Sequence, residues 1–379
     1  MKIVSMEPTP SPYSMKVNLN KHLEDGQSFE YKLTDDLVEA PQYVRDLFDI
    51  EGIKGLFRVV DFITIERDPR VEWESILPRV TEAIGSVAQA DDLFSQAIST
   101  HSEDSYAGIK VTIQMIRNIP TQVKLEEGQI EKRFALPERL MQAAMEAASA
   151  SSDYLGERKW VEQSPRYGDI DEIGDKIVQE LSATYSEERL KQLLDLALDS
   201  ETESIEIPRK KVTLDMLKLP NWRDRFALLA QMPEPTKDDY ALLDKALEDE
   251  NSSVRRLATA YLGMIEEKES LPYLYKALQD RSVNVRRTAG DCLSDLGYKE
   301  AIPEMIKTLK DKSRIVRWRA AMFLYEVGDK TAIPALEEAL KDSEFEVRMQ
   351  AKMALSRIES GQKGKGSIWQ QMEDALKKD

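Results

Sequence analysis

One cysteine and two histidines among 379 residues leave little material for thiol or metal chemistry. A single cysteine excludes a disulfide framework and, within one chain, a cysteine-ligated zinc or iron–sulfur site. Two histidines exclude a His-rich metal cage. Long apolar runs are missing too: no window approaches 18 uninterrupted apolar residues, so no membrane insertion is expected. There is no Gly-rich phosphate loop, no His-Glu-x-x-His and no nucleophile elbow, so no catalysis and no cofactor are expected. Positive charge is in deficit. Lys+Arg number 53 against 69 Asp+Glu, a net charge of -16, which argues against a nucleic-acid partner or an anionic membrane. The stretch Met1–Pro8 is too short in apolar residues for a secretion signal, because Glu7 and Pro8 interrupt it. With the lone cysteine this reads as a cytoplasmic protein.

What the sequence does contain is a repeat. Between residues 241 and 360, Val254-Arg255 recurs every 31 residues as Val285-Arg286, Val316-Arg317 and Val347-Arg348. Ala258, Leu262 and Asp249 recur in the same register, and Pro272 returns as Pro303 and Pro334. A fixed period of this size means a solenoid of helical hairpins that bury their apolar faces by stacking. In one unit the first helix presents Leu271, Leu274, Ala277 and Leu278, with Pro272 in its first turn. The second presents Val285, Ala289, Cys292, Leu293 and Leu296, with Asn251, Ser282 and Ser313 as capping residues at matching positions. Cys292 falls in a core column and reads as an inert thiol. The aligned Asp–Arg series reads as structural pairing that holds the hairpins in register. Columns that vary between units suit partner contact better. Arg256, Arg287, Trp318 and Met349 form one such column, with Arg319 beside Trp318.

The Pro…Leu…Asp…Val-Arg…Ala…Leu pattern resembles the short HEAT-like repeats also found in phycobilisome lyases. Trp222, Arg225, Ala227 and Leu228 suit a degenerate unit ahead of the array. Ile368, Trp369, Met372 and Leu376 suit a short C-terminal helix after a Gly- and Lys-rich link.

The first 90 residues read as α/β. Strands are expected at Met15–Leu19 and Phe29–Lys32, a helix at Leu37–Phe48 and a hairpin about Val60-Asp61. Trp73, Ile76, Leu77, Val80 and Ile84 give a second helix. The stretches Glu7–Lys16, Leu47–Phe57 and Asp61–Ile65 resemble the N-terminal domain of Nfu-type iron–sulfur scaffold proteins. That resemblance implies a fold and a link to iron–sulfur assembly. In those scaffolds a separate Cys-x-x-Cys domain holds the cluster, and this chain has no Cys-x-x-Cys, so cluster transfer by this chain alone lacks its thiolates. The loop Pro10, Ser11, Pro12 and Tyr13 is singled out as a candidate recognition loop.

In the middle segment, strands are expected at Ile109–Ile116 and Gln122–Lys124 around a turn at Asn118-Ile119-Pro120. Helices are expected at Leu136–Ala148 and around Leu190–Leu198. The acidic run Asp169–Glu172 reads as a solvated helix start, since it lacks the loop of a calcium hand. Ile119–Val123, Leu136–Arg139 and Ser152–Leu155 resemble a small virulence-factor domain. With the flanking regions, the chain resembles the conserved virulence factor C family.

The fold class expected is multidomain α+β followed by an all-α solenoid. Its domains are 1–90, 95–205, 206–360 with four clear units from 241, and 361–379. The function expected is a non-catalytic protein-interaction scaffold or adaptor. Its partners are iron–sulfur assembly or client proteins, and it is linked to virulence regulation. The alternative is a cofactor- or chromophore-handling enzyme, which calls for a deep apolar pocket at a domain interface with converging polar groups. Charge is uneven: residues 241–360 carry 20 Lys+Arg and 21 Asp+Glu, so the acidity sits almost wholly in the front of the chain.

Overall fold

A computed structural model of the protein describes residues 1–9, 13–23, 27–38, 40–59, 61–68, 70–85, 109–127, 130–149, 157–199 and 209–361. Among them are two antiparallel sheets and fourteen helices, an α+β front followed by an all-α array. Pro10–Pro12, His101, Ser152–Leu155 and the stripe Ile368–Leu376 lie outside the described residues.

The chain begins with β1 (Ile3–Pro8), β2 (Ser14–Leu19), β3 (Ser28–Lys32), α1 (Gln42–Phe48), β4 (Ile53–Val59), β5 (Phe62–Arg67) and α2 (Trp73–Ile84). The sheet order is β1-β2-β5-β4-β3. Strict alternation in β2 sends Met15, Val17 and Leu19 inward, where they meet Ile63 and Ile65 of β5 and the apolar faces of both helices. The first helix is shorter than expected. It starts after Pro41, its N-cap residue, because the residue before a proline is driven out of helical geometry.

Next come β6 (Ile109–Ile116), β7 (Ile119–Glu127), β8 (Ile130–Ala135), α3 (Glu138–Ser149), β9 (Lys159–Arg166), α4 (Ile170–Thr184) and α5 (Glu187–Asp199). The four-stranded sheet runs β8-β7-β6-β9. The β6–β7 turn is Arg117-Asn118, with φ of 45° and 66°, rather than the expected Asn118-Ile119-Pro120. Two left-handed residues match the twist of a tight hairpin. Pro120 is tolerated inside β7 because pairing with β8 begins only at Gln122. Asp169 caps α4 by accepting from the backbone N–H of Asp171 and Glu172 at 2.9 and 3.0 Å, so the acidic run is a helix start.

The array follows as α6 (Trp222–Ala230), α7 (Tyr240–Ala246), α8 (Ser252–Met264), α9 (Leu271–Leu278), α10 (Val283–Leu296), α11 (Ile302–Thr308), α12 (Arg314–Val327), α13 (Ile333–Ala339) and α14 (Phe345–Glu359). The repeating valines and alanines are all buried. Pro272 and Pro334 stand in the first turns of α9 and α13. At Gly263 the helices α8 and α10 close so tightly that a Cβ would run into Cys292 Sγ.

The Asp–Arg series is a set of latches between successive repeats. Arg225 donates two hydrogen bonds to Asp249 at 2.5 and 3.0 Å. Arg255 does the same to Asp280 at 2.6 and 2.9 Å, and Arg317 to Asp342 at 2.6 and 2.8 Å. Arg255 also donates to the carbonyls of Asp249 and Glu250 in its own repeat, and Arg317 to that of Asp311. Each aspartate accepts in turn from the backbone N–H at the start of the next helix, as Asp280 does from Ser282 at 2.7 Å. This corrects the capping expected of Ser282 and Ser313. Their side chains make no capping hydrogen bond. Asn251 does cap, accepting from Ser253.

By internal packing the described chain divides into two compact units. One joins Met1–Ala107 to Met305–Lys365 and the other holds Gly108–Glu304. In the first, Phe345, Met349 and Met353, one face of α14, complete the core of the N-terminal sheet. Arg67, 1% exposed, donates to Glu346 at 2.9 Å and to the Val71 carbonyl at 2.6 Å. Its guanidinium lies 5.5 and 5.6 Å from the rings of Tyr13 and Trp73. Arg348 reaches Glu74 at 3.0 Å. Burial lifts the Glu346 carboxyl to about 8; Arg67 opposes the rise and Glu72 adds to it.

Two outcomes follow from this packing. Asp280→Ala strands a guanidinium that is 5% exposed, and it lowers stability in urea unfolding by about 3 kcal/mol. A carboxyl with a raised folded pKa stabilises below its unfolded value and loses that contribution as pH climbs through the folded one. Melting temperature therefore falls between about pH 4.5 and about pH 8, and Glu346→Gln flattens that fall.

Candidate functional site

The second unit contains a cavity of about 500 Å³. Its floor is the edge of the four-stranded sheet, where β6 and β9 pair Val111 with Gln163, Ile113 with Val161 and Met115 with Lys159. Alternation along β6 turns these odd-numbered residues toward the helices. One wall is α4, which contributes Ile177, Glu180 and Leu181. The other is made by α6 and α8, through Phe226, Arg256, Leu257 and Tyr261. The Tyr261 hydroxyl donates to the Leu229 carbonyl at 3.0 Å, so its ring serves as an apolar surface.

Polar side chains share the lining with apolar ones, and two of the charged pairs are closed. Arg166, the last residue of β9, donates to Glu180 at 2.8 Å, and both are buried. At the rim Arg117 donates to Glu157 at 2.7 Å. Burial opposes ionisation of Glu180, but Arg166 and Arg256 outweigh it and hold the carboxyl below its usual range. Arg256 is different. Its Nε is buried without a hydrogen-bond partner among the described residues, and none of their carboxylates lies within ion-pair distance of it. Burial and the charge of Arg166 pull its pKa down to about 10, with Glu180 opposing, so it remains a cation at neutral pH. Among the described residues no group of three or more His, Cys, Asp or Glu is arranged to hold a metal ion.

The expected partner column is turned inward. Arg287 is 4% exposed, lies 5.3 Å from the Tyr167 ring centroid and pairs with Asp291. Beside it Asn284 clamps the backbone of Tyr167, accepting at 3.1 Å and donating at 3.0 Å. Arg256 faces the cavity under the same domain. Trp318, 2% exposed, packs with Val347 and Tyr13, while Met349 enters the core of the N-terminal sheet. Arg319 is buried as well. An outside partner therefore does not meet this column in the described structure. The column varies because each repeat meets a different surface of the chain's own front. Tyr13 is likewise an internal contact beside Arg67 rather than an exposed recognition residue. Pro10, Ser11 and Pro12 lie outside the described residues.

Sequence reasoning missed Arg166 and Glu180. A signal existed for Glu180, which falls in step with Ile173 and Ile177 on the apolar face of α4. A carboxylate there needs a buried partner. Arg166 closes a strand exposed along the rest of its length, and nothing in its pattern marks it.

Three stretches of the chain match known families. Residues 4–91 match the N-terminal region of Nfu/NifU scaffold proteins, and residues 114–194 match the family described as virulence factor. HEAT repeats match at 214–290, 239–322 and 274–356. A Bacillus subtilis (strain 168) protein described as uncharacterized protein YpgR is 50% identical over 276 residues, covering 72% of this chain and 71% of that protein. Conserved virulence factor C of Staphylococcus haemolyticus is 40% identical over 279 residues, 72% of each chain. Among solved structures, the crystal structure of Staphylococcus aureus protein SAV1430 is 35% identical, covers 22% of this chain and 98% of that one, and has a TM-score of 0.21. The chain belongs to the conserved virulence factor C family.

Proposed function

We propose that this protein is a non-catalytic adaptor that brings its Nfu-like module to proteins of iron–sulfur assembly or to their clients, and so contributes to virulence regulation. One observation carries the reading. The repeats already work as a docking platform, because the N-terminal sheet is seated on α14 through Phe345, Met349 and Met353. A module held this way is presented rather than free. With one cysteine in the chain, the module lacks the thiolates to carry a cluster, so recognition is the role left to it.

The surface for that role is the sheet face turned away from α1 and α2. Register places Phe57, Thr64 and Lys16 side by side there, with Val59, Phe62 and Asn18 in the next row. Phe57 is 42% exposed and Lys16 lies 4.6 Å over the Phe62 ring. An apolar patch edged by a cation suits a protein partner.

A second reading, a protein that handles an organic ligand or cofactor, is favoured by the cavity between the four-stranded sheet, α4, α6 and α8. Its size and its mixture of apolar walls with charged groups have the make-up of a ligand site.

The adaptor reading is checked by affinity capture from cytoplasm with the full-length chain. Removing the array is unsuitable, since α14 fills part of the N-terminal core. The wild-type chain enriches iron–sulfur assembly or client proteins, and Phe57→Glu lowers that enrichment about tenfold without changing the melting temperature. Equal capture by Phe57→Glu, or no enrichment over blank resin, contradicts it.

A further inference from the structure

The cavity in the second unit has a feature that its neighbours do not neutralise. The charge of Arg166 is met by Glu180 at 2.8 Å and that of Arg117 by Glu157 at 2.7 Å. Arg256 lines the same cavity with its Nε buried and unpartnered among the described residues. An Nε taken from water without a partner on a half-buried guanidinium is costly, and an anion set against it recovers that cost. The walls specify the rest of the ligand. Ile113, Ile177, Leu181, Phe226 and Leu257 offer apolar surface in a volume typical of small-molecule sites.

We propose that this cavity binds an amphipathic organic monoanion, a carboxylate on an apolar acyl or aromatic body, with the carboxylate on Arg256. The inference rests on the reading of the cavity as a ligand site and names its ligand class. One unpaired guanidinium matches one negative charge. A doubly charged phosphate ester would press its second charge toward the Glu180 carboxylate. The planar fork of arginine matches a carboxylate in two hydrogen bonds. The apolar body lies along β6 and α4, and exposed Lys159 and Gln163 stand at the mouth.

Titration calorimetry on the full-length protein tests this with octanoate, octanol, octylamine and acetate, each below any micelle-forming concentration. Octanoate binds at one site at least about tenfold more tightly than octanol, octylamine and acetate bind more weakly still, and Arg256→Gln costs octanoate roughly tenfold. Lys245→Gln, an exposed cation outside the cavity, leaves octanoate binding unchanged. Should Arg256→Gln fail to fold, Leu257→Trp fills the apolar space and abolishes binding. Equal affinity for octanol and octanoate overturns the anion assignment while leaving a ligand cavity. Octanoate binding untouched by both variants overturns it too. No binding by any of the four compounds overturns the assignment and the cavity reading together.

Discussion

A buried arginine clasped by an aspartate of the following repeat sets the geometry of this protein. Arg255 is held by Asp280 on one side and by the carbonyls of Asp249 and Glu250 on the other. Its direction is therefore fixed. The next residue on the same helix points about 100° further round, because an α-helix has 3.6 residues per turn. That residue is Arg256, and it is carried into the cavity. Arg317 and Trp318 repeat the relation, as do Arg348 and Met349. The latch residue ties repeat to repeat, and its neighbour is committed to whatever covers that face.

What covers it is the front of the chain. Within one unit, Tyr167 and Arg166 of the virulence-factor domain meet Arg287, Asn284 and the surroundings of Arg256. Within the other, Tyr13 and the core of the Nfu-like sheet meet Trp318 and Met349. Within each unit the front is thus joined to the repeats by side chains at one recurring repeat position, filled by a cation in one and by an aromatic ring or a thioether in the other. The same commitment leaves Arg256 half-buried, its Nε unpartnered among the described residues, beside the Arg166–Glu180 pair, so two guanidinium groups face one carboxylate in the cavity.

The array was legible in the sequence because its constraint repeats. Val254, Ala258 and Leu262 return every 31 residues since each must fill the same space between helices. The strands with alternation, β2, β4 and β5, were legible for the same kind of reason. β9 was not, because it is exposed along all but its last residue and carries no apolar period. β8 alternates only between exposed and half-buried residues and was equally silent. The candidate site was half legible. Its varying column was marked as a contact surface, but one sequence does not say whether the surface in contact belongs to another molecule or to the chain's own front. The Arg166–Glu180 pair joins a strand to a helix through the fold, and no spacing in the sequence announces it.

The central claim is that the residue after each latch arginine docks the chain's own front modules. Hydrogen–deuterium exchange on the full-length protein carrying Asn284→Ala and Arg287→Ala tests it most directly. The account predicts that amides of β9 and the start of α4 exchange at least about tenfold faster than in the wild type, while α8 and α10 keep their protection. Unchanged exchange in β9 and α4 would contradict it.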